Sequence, residues 1–429
     1  MLYILASCTE KETYRPNKSA TVHLQELDSG FTLIRRGKPF FIKGACGKEF
    51  FKELSDAGAN TVRVYDTTGL KATLDRAETH DLAVVVDIPF PRYVEPDTLF
   101  TNEEFMAEHL VSTKRFVERH KDHPALLYWM LGNEISYPDL PGDDNVTEHF
   151  NAFVDMIHEV DKNHPVSTAV GGFNRSCLLS IMTRSGAIDF ISINIFGELS
   201  TFHERKNTIA LLWDGPYVLS EFGINGPWEA RETTWGVPIE ENSTKKAELF
   251  EDRYTKYIRT IDDGRLLGSL FFYWGNKQER THTWFSTIMD NGNRTESAYV
   301  FEDIWKNRQR AYEGPMIDRA LLNDDYTGKK SVLGPEEKMT AKLLMLPENP
   351  EKDFTIQWEI LPENWNYAFD AVETRPDALS GLIGTIKANS VTFTTPRKEG
   401  PYRLFVTVAD KKRNIATTNI PFYILDPRE

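Results

Sequence analysis

The sequence predicts an α/β protein, a (β/α)8 TIM barrel followed by a small C-terminal all-β sandwich. Three observations carry that expectation. Between residues 38 and about 310, short apolar runs alternate with helix-periodic segments, the pattern of a parallel barrel ringed by helices. The turn after the first strand reads Gly44-Ala45-Cys46-Gly47-Lys48, not the G-x-G-x-x-G of a doubly wound open sheet. Beyond about residue 335 the helical period gives way to residue-by-residue alternation, the mark of half-buried strands.

The elements follow in order. Phe40 to Lys43 reads as the first strand. Phe50, Phe51, Leu54 and Ala57 then recur on one helical face, closed by Gly58. Asn60 to Tyr65 is the second strand and Leu70 to His80 a helix. Leu82 to Ile88 is a continuous run rich in β-branched residues, as expected for a strand buried on both faces. Glu103 to His120 is a helix stopped before His123-Pro124, and Ala125 to Leu131 is the fourth strand. After a helix over Val146 to Lys162 come strands at Val166 to Val170, Phe190 to Phe196, Tyr217 to Leu219 and Ser269 to Trp274. Helices over Thr244 to Ile261 and Ser297 to Arg308 follow the last two.

In the C-terminal region, Thr355 to Ile360, Ser390 to Thr394 and Tyr402 to Val408 alternate, with Pro and Gly between them. That suits an immunoglobulin- or fibronectin-like sandwich. The expected organisation is a signal and tether over 1–30, the barrel over 31–317, a linker over 318–338 and the sandwich over 339–429. Leu5-Ala6-Ser7-Cys8 resembles a bacterial lipobox, whose cysteine is acylated after the signal is cut. Met1 to Leu5 is shorter than an ordinary signal core and lacks basic residues, so the signal reads as truncated. The expectation is a lipoprotein of the cell envelope, lipidated at Cys8 and facing the periplasm or the surface.

Composition narrows the partners. Fifty Lys and Arg against 64 Asp and Glu give a net charge of −14, which disfavours nucleic acid and anionic membrane. It is indifferent to sugars. Nine Trp in the chain supply aromatic faces that sugar sites use as platforms, although most Trp side chains serve cores. With three cysteines, Cys8, Cys46 and Cys177, no disulfide framework is legible. Nor is the oligomeric state.

In a barrel of this kind chemistry stands at the C-terminal ends of the strands. There the sequence places Arg63, Tyr65 and Asp66 on strand two, Asp87 on three, and Trp129, Asn133 and Glu134 on four. Strand six brings Asn194 and Phe196, strand seven Glu221, and strand eight Trp274, Asn276 and Lys277. This ring lacks the His and carboxylate clusters that hold a metal. Gly132-Asn133-Glu134 and Ser220-Glu221-Phe222-Gly223 each follow a hydrophobic run. Two carboxylates facing one another across a cleft are the machinery of glycoside hydrolysis, one a protonated acid and the other an ionised nucleophile. No metal or cofactor is then required.

Four stretches carry a family resemblance. Lys38 to Gly44 resembles the first strand, and Ala57 to Arg63 the second, of the family-two glycoside hydrolase barrel. Trp129 to Glu134 matches its W-x-x-G-N-E acid/base strand, and Ser220 to Gly223 its nucleophile strand. In this order they resemble glycoside hydrolase clan A, the retaining enzymes, over about residues 31–310. The resemblance implies Glu134 as general acid/base, Glu221 as nucleophile and Asn133 as the ligand of the sugar 2-hydroxyl. It places Arg63 beside Glu221, keeping it ionised, and Trp274 as the floor of the reacting-sugar subsite. It implies a raised pKa at Glu134 and carboxyl groups about 5–5.5 Å apart. One position departs: Phe196 stands where the clan often offers a donor to the nucleophile, so Asn194 or Tyr65 is expected to substitute.

Two long loops suit a sugar chain: Ile224 to Asn242 with Trp228, Arg231 and Trp235, and Gly275 to Asp290 with Lys277, Gln278, Arg280, His282 and Trp284. His203 and His282 read as solvated or substrate-contacting. The expected activity is a retaining β-glycosidase on β-linked oligo- or polysaccharide. Alternatives are a β-glucan transglycosylase with the same two glutamates, a non-catalytic carbohydrate-binding barrel lipoprotein, or a barrel of another enzyme class. Against the last stands the want of a Schiff-base lysine at the strand ends, Lys43 and Lys277 being the nearest candidates.

Overall fold

The computed structural model describes residues 20–91, 99–135, 145–185, 187–205, 212–309, 312–325, 331–347, 353–364 and 373–426. Cys8 and the lipobox lie outside them. The described chain opens with an antiparallel meander of β1 (Val22–Leu27), β2 (Gly30–Arg35) and β3 (Lys38–Phe40). Val22 pairs with Arg35 and is buried. The tether expected up to residue 30 therefore gives way to ordered strand from Val22, because Val22 has a core to enter.

Eight strands then close a barrel in the order β10-β11-β4-β5-β6-β7-β8-β9. They are β4 (Ile42–Cys46), β5 (Thr61–Val64), β6 (Ala83–Ile88), β7 (Leu126–Asn133), β8 (Val166–Gly171), β9 (Phe190–Ile195), β10 (Tyr217–Phe222) and β11 (Leu266–Phe271). β6 is buried at every position, as its apolar run requires. β11 ends three residues before the expected strand end, which leaves Trp274 beyond it.

Helices α1 (Phe51–Asp56), α2 (Leu70–Thr79), α3 (Glu103–His120) and α4 (Asn145–Val160) lie where the periodicity puts them. Asn102 caps α3 by accepting from the Phe105 amide, with Glu103 and Glu104 in the first turn and Arg119 and His120 in the last. The acidic first turn and Arg119 in the last complement the helix dipole. α5 (Arg175–Arg184) is an addition to the expected elements; its signal is the Asn174 cap, since its apolar stripe is short. α6 (Ser243–Arg253) passes into a π-helical turn, Tyr254–Ile258, and α7 (Glu296–Lys306) follows.

The C-terminal strands form two four-stranded sheets. β12 (Ile317–Leu322), β14 (Lys338–Met345), β17 (Ser390–Thr394) and β16 (Ile383–Lys387) make one. β13 (Val332–Leu333), β19 (Ile415–Ile424), β18 (Gly400–Ala409) and β15 (Thr355–Pro362) make the other. They share a core that includes Leu343, Trp358, Ile360, Leu404 and Phe422. The stretch expected as a linker begins inside this sandwich, because Leu322 belongs to its core and β12 pairs with β14.

The chain divides into two compact units. One takes in the chain up to Gly44, Asn60–Phe222 and Ile261–Leu270; the other takes in Ala45–Ala59, Gly223–Thr260 and Phe271–Glu429. The second unit has its own polar brace. Buried Glu240 accepts from Lys246 Nζ at 2.5 Å, Thr281 at 2.7 Å, Thr283 at 2.8 Å and Asn419 at 2.6 Å. Arg403, also buried, donates to Glu363 at 2.6 Å, Asn419 at 2.8 Å and the Pro238 carbonyl at 2.6 Å. With every charge paired, this network fastens β18 and β19 to the segment after β10.

Candidate active site

The two glutamates stand on irregular backbone, each in the first unit. Glu134 follows β7 with φ of 53°, a left-handed conformation that a non-glycine residue adopts under constraint. Its amide donates to the Ala169 carbonyl at 2.9 Å, which fixes it against β8. Glu221 lies just past a register shift in β10 and pairs with Asn194 of β9. Such bulges re-aim side chains near active sites.

Arg63 of β5 organises the floor. It is fully buried. Nε and Nη2 donate to Asp87 Oδ1 and Oδ2 at 2.9 and 2.7 Å, a bidentate pair. Nη1 donates to Glu221 Oε1 at 2.9 Å and Asn194 Oδ1 at 3.0 Å, and Nη2 also reaches Asn133 Oδ1 at 2.8 Å. Tyr65 donates its hydroxyl to Glu221 Oε1 at 2.8 Å, with its ring 4.6 Å from the Arg63 guanidinium carbon. Tyr65 thus occupies the donor role left open by Phe196.

Asn194 links the two glutamates. Its Nδ2 donates to Glu134 Oε1 at 2.8 Å and Asn133 Oδ1 at 2.9 Å, while its Oδ1 accepts from Arg63 and from Ser220 Oγ at 2.8 Å. Gly171, at the end of β8, makes room for Glu134. A Cβ there would sit 3.2 Å from the Glu134 Cδ and 3.4 Å from Oε2.

The electrostatics correct one expectation. Arg63 does pull the Glu221 carboxyl down, but burial pushes it up more strongly, to about 8, and the Glu134 and Asp87 charges add to the push. The guanidinium is shared: Asp87 takes two of its donors, so one cation serves two buried carboxylates. Burial likewise raises Asp87. It also pulls Arg63 down, yet Asp87, Tyr65 and Glu221 hold Arg63 well above its ordinary value. One fixed cation therefore sits beneath the pair at every pH of interest.

The other expected site residues belong mostly to the second unit, and several are structural. Trp274 is 0% exposed. Its Nε1 donates to the Phe50 carbonyl at 3.1 Å, and its ring packs against Phe271 and Trp305. A residue with no accessible face is not a subsite floor, so the resemblance fails there. Trp284 is buried with Nε1 on the Asn225 carbonyl at 3.0 Å. Trp235 packs on Tyr423 of the sandwich. Asn276 bonds Asp290 and accepts from Ser286, Lys277 faces Glu279 at 3.7 Å, and Gln278 donates to the Arg280 carbonyl. The Arg280 amide is held by Glu373. These contacts shape the loop itself. His282 is half-buried with its ring against Phe405, and the partial burial pulls it down to about 4, which keeps it neutral at pH 7. His203 packs edge-on against Phe202. Trp129 directs its Nε1 to Asp161 at 2.8 Å and its ring to Phe116 of α3, so it faces the helical layer. Trp228 alone of these tryptophans is exposed, at 64%.

Sequence reasoning placed Asp87 at a strand end without a role, and it passed over Ser220 and Gly171. The signal for Asp87 was a single acid inside an apolar strand, where a charge needs a partner. Among the described residues, no group of three or more His, Cys, Asp or Glu side chains is placed to hold a metal ion.

Comparison with known proteins bears on the barrel. Residues 63–225 match the family model "Glycosyl hydrolases family 2, TIM barrel domain". A β-glucuronidase from Paenibacillus borealis is 20% identical over 195 residues, which cover 41% of this chain and 31% of that one. A β-D-glucuronidase structure from Dictyoglomus thermophilum superposes with a TM-score of 0.50 at 18% identity, over 68% of this chain and 55% of that one. A family-two β-galacturonidase from Eisenbergiella tayi superposes with a TM-score of 0.52 at 16% identity, over 68% and 55%. The chain thus spans about a third of that curated relative and about half of these solved structures. Residues 63–225, which hold both glutamates and Arg63, are thus similar to the family-two glycoside hydrolase barrel domain, and the solved structures share the (β/α)8 barrel fold.

Proposed function

We propose that the protein is a retaining glycoside hydrolase acting on β-linked oligo- or polysaccharide. The observation that supports this most is the Asn194 bridge. One side chain touches Glu134 directly and shares Arg63 with Glu221, so both carboxyl groups belong to one rigid polar network. In the first step a Glu221 oxygen attacks the anomeric carbon, the bond to the leaving oxygen breaks, and Glu134 delivers a proton to that oxygen. In the second, Glu134 takes a proton from water, the water oxygen attacks the anomeric carbon, and Glu221 departs as a carboxylate. Arg63 and Tyr65 hold the Glu221 oxygen in place. Asn133 has its Oδ1 fixed by Arg63 and Asn194, which turns its amide donors over to the sugar 2-hydroxyl.

One observation favours a second assignment. Glu221 carries a carboxyl pushed up to about 8, a property of general acids. Its two donors weigh the other way, since a carboxyl oxygen accepting from Arg63 and Tyr65 is arranged for the anion. The nucleophile role is therefore retained for Glu221.

Relatives named as glucuronidases and galacturonidases put uronides on the list of substrates to try. Turnover should be measured on 4-nitrophenyl β-glycosides of glucose, galactose, mannose, glucuronate and galacturonate and on β-glucan oligosaccharides, for wild type and Glu221→Gln. Release or shortening in wild type only is the expected result. Longer products would make it a transglycosylase. Binding without turnover in both proteins would replace the enzyme reading by a sugar-binding one. We further propose attachment to the cell envelope through Cys8, on the strength of Leu5-Ala6-Ser7-Cys8; fatty-acid labelling that survives Cys8→Ala would contradict it.

A further inference from the structure

We infer that Glu198 and Arg205 together bind the leaving sugar and select one without charge. This rests on the reading of the chain as a glycoside hydrolase with Glu134 as proton donor, and it concerns the sugar that departs, not the one that reacts. Every residue involved belongs to the first unit. Glu134 Oε1 accepts from Asn194, which leaves Oε2 to carry the proton. Oε2 lies toward Gly171 at the end of β8. The leaving sugar therefore extends over the ends of β8 and β9.

Gly172, one residue on, seats a further carboxylate. Glu198 stands in the 3-10 turn Gly197–Thr201 that follows β9. A Cβ on Gly172 would fall 2.5 Å from Glu198 Oε2, and that oxygen also accepts from the Phe173 amide at 3.3 Å. Gly172 has φ of 56°, so the close approach and the backbone both favour glycine. Two consecutive glycines thus hold two carboxyl groups. Adjacent Cα atoms are about 3.8 Å apart, which puts both groups within reach of one short glycan.

Arg205 completes the pair. Its Nη1 donates to Glu198 Oε1 at 3.5 Å, and its guanidinium carbon lies 5.2 Å from the centre of the Phe173 ring. Phe173 in turn leans on buried Phe202. Exposed ion pairs usually hold long side chains loosely and contribute little. Here both partners rest on one short segment, Gly172-Phe173, while each side chain stays 44% exposed. Their contact is longer than the roughly 2.7–2.9 Å of a charge-assisted hydrogen bond, so both keep capacity for a ligand. A guanidinium beside a carboxylate sets donors next to acceptors. A sugar diol, whose hydroxyls each donate and accept, matches that pattern. A uronate in the same place would bring its carboxylate against Glu198, a repulsion that one adjacent arginine only partly offsets.

The test uses the full chain with whichever 4-nitrophenyl β-glycoside it turns over as glycosyl donor. Methyl β-glucoside and methyl β-glucuronide, which differ in the charge at C6, compete at equal concentration as acceptors in the leaving-sugar position. In transfer an acceptor hydroxyl attacks the anomeric carbon as the bond to Glu221 breaks, and its proton passes to Glu134. Mass spectrometry reads the two products. The glucoside product should exceed the glucuronide product about tenfold. Glu198→Gln, of the same shape without the charge, should bring the ratio close to one. Arg205→Ala should lower transfer to the glucoside relative to hydrolysis and widen the ratio, because Glu198 loses its counter-charge. A merely structural pair would move both products alike. An equal or reversed ratio in wild type, a ratio unmoved by Glu198→Gln, or hydrolysis of the donor with no transfer to either acceptor would overturn the assignment alone. Absence of turnover of every donor would overturn the underlying reading and this one with it.

Discussion

Arg63 meets Glu221 through Nη1 at 2.9 Å while its other edge is occupied by Asp87 at 2.9 and 2.7 Å. The guanidinium is therefore a shared counter-ion. Removing it leaves two buried carboxyl groups facing one another without a cation. Arg63→Ala should lower stability at pH 7 by about 3–5 kcal/mol and abolish turnover, as read by chemical denaturation and activity.

Sharing the cation sets a pH dependence. In the proposed mechanism Glu221 attacks as an anion, and its carboxyl is pushed up by burial to about 8. The acid limb of kcat/KM should lie near pH 8, well above the ordinary carboxylate range. Asp87→Asn removes one charge that pushes Glu221 up and frees Arg63 to serve it. The limb should then move to lower pH. An unmoved limb in that variant would show that Asp87 has no hold on Glu221.

The same shift predicts a stability effect of opposite sense. A carboxyl with a folded pKa above its unfolded value binds more protons folded than unfolded between about 4.5 and 8. Its contribution to stability is fully present below pH 4.5 and is lost as pH rises through 8, by at most about 1.4 kcal/mol per pH unit. Glu221→Gln carries no such titration. The variant should be more stable than wild type at pH 8, and the gap should shrink toward pH 4.5, in urea titrations across that range.

Tyr65 donates to the same Glu221 oxygen as Arg63. A hydrogen bond to a charged group contributes about 1.5–3 kcal/mol, so Tyr65→Phe should reduce kcat about 10–100-fold. Its acid limb should rise, since a donor favouring the anion is gone.

Gly171 leaves space for Glu134 that alanine would fill, with its Cβ 3.2 Å from Cδ. Gly171→Ala should displace Glu134, the proposed proton donor. Glycosides with a sugar as leaving group should slow more than those releasing 4-nitrophenolate, which departs without a proton. Equal slowing of both would argue against Glu134 as the acid.

The barrel was legible because each strand is a dense apolar run and each helix carries its own period and caps. β6 and α3 sit where Leu82 to Ile88 and Glu103 to His120 put them. The glutamates were legible because each interrupts the chain just after such a run. What failed was the assignment of large aromatics. Trp129, Trp274 and Trp284 are placed by contacts to Asp161, Phe50 and Asn225, partners distant in sequence that no local pattern reveals. The sharing of Arg63 was hidden for the same reason: residue types at strand ends do not say how many carboxylates divide one cation. The early start of the sandwich escaped because β12 has weak alternation, with two of six positions half-buried and the adjacent pair Leu321 and Leu322 both buried.

A retaining route requires that Glu221 bond to the sugar. The most direct measurement is peptide mass spectrometry after incubation with activated 2-deoxy-2-fluoro-β-glycosides of glucose, galactose, mannose and glucuronic acid. These slow the second step and let the glycosyl-enzyme accumulate. One fluorosugar adduct on the peptide containing Glu221, absent from the Glu221→Gln protein, is the predicted result. An adduct on Glu134 would reverse the two roles, and hydrolysis of the parent glycosides with no adduct from any of the four would contradict the covalent route.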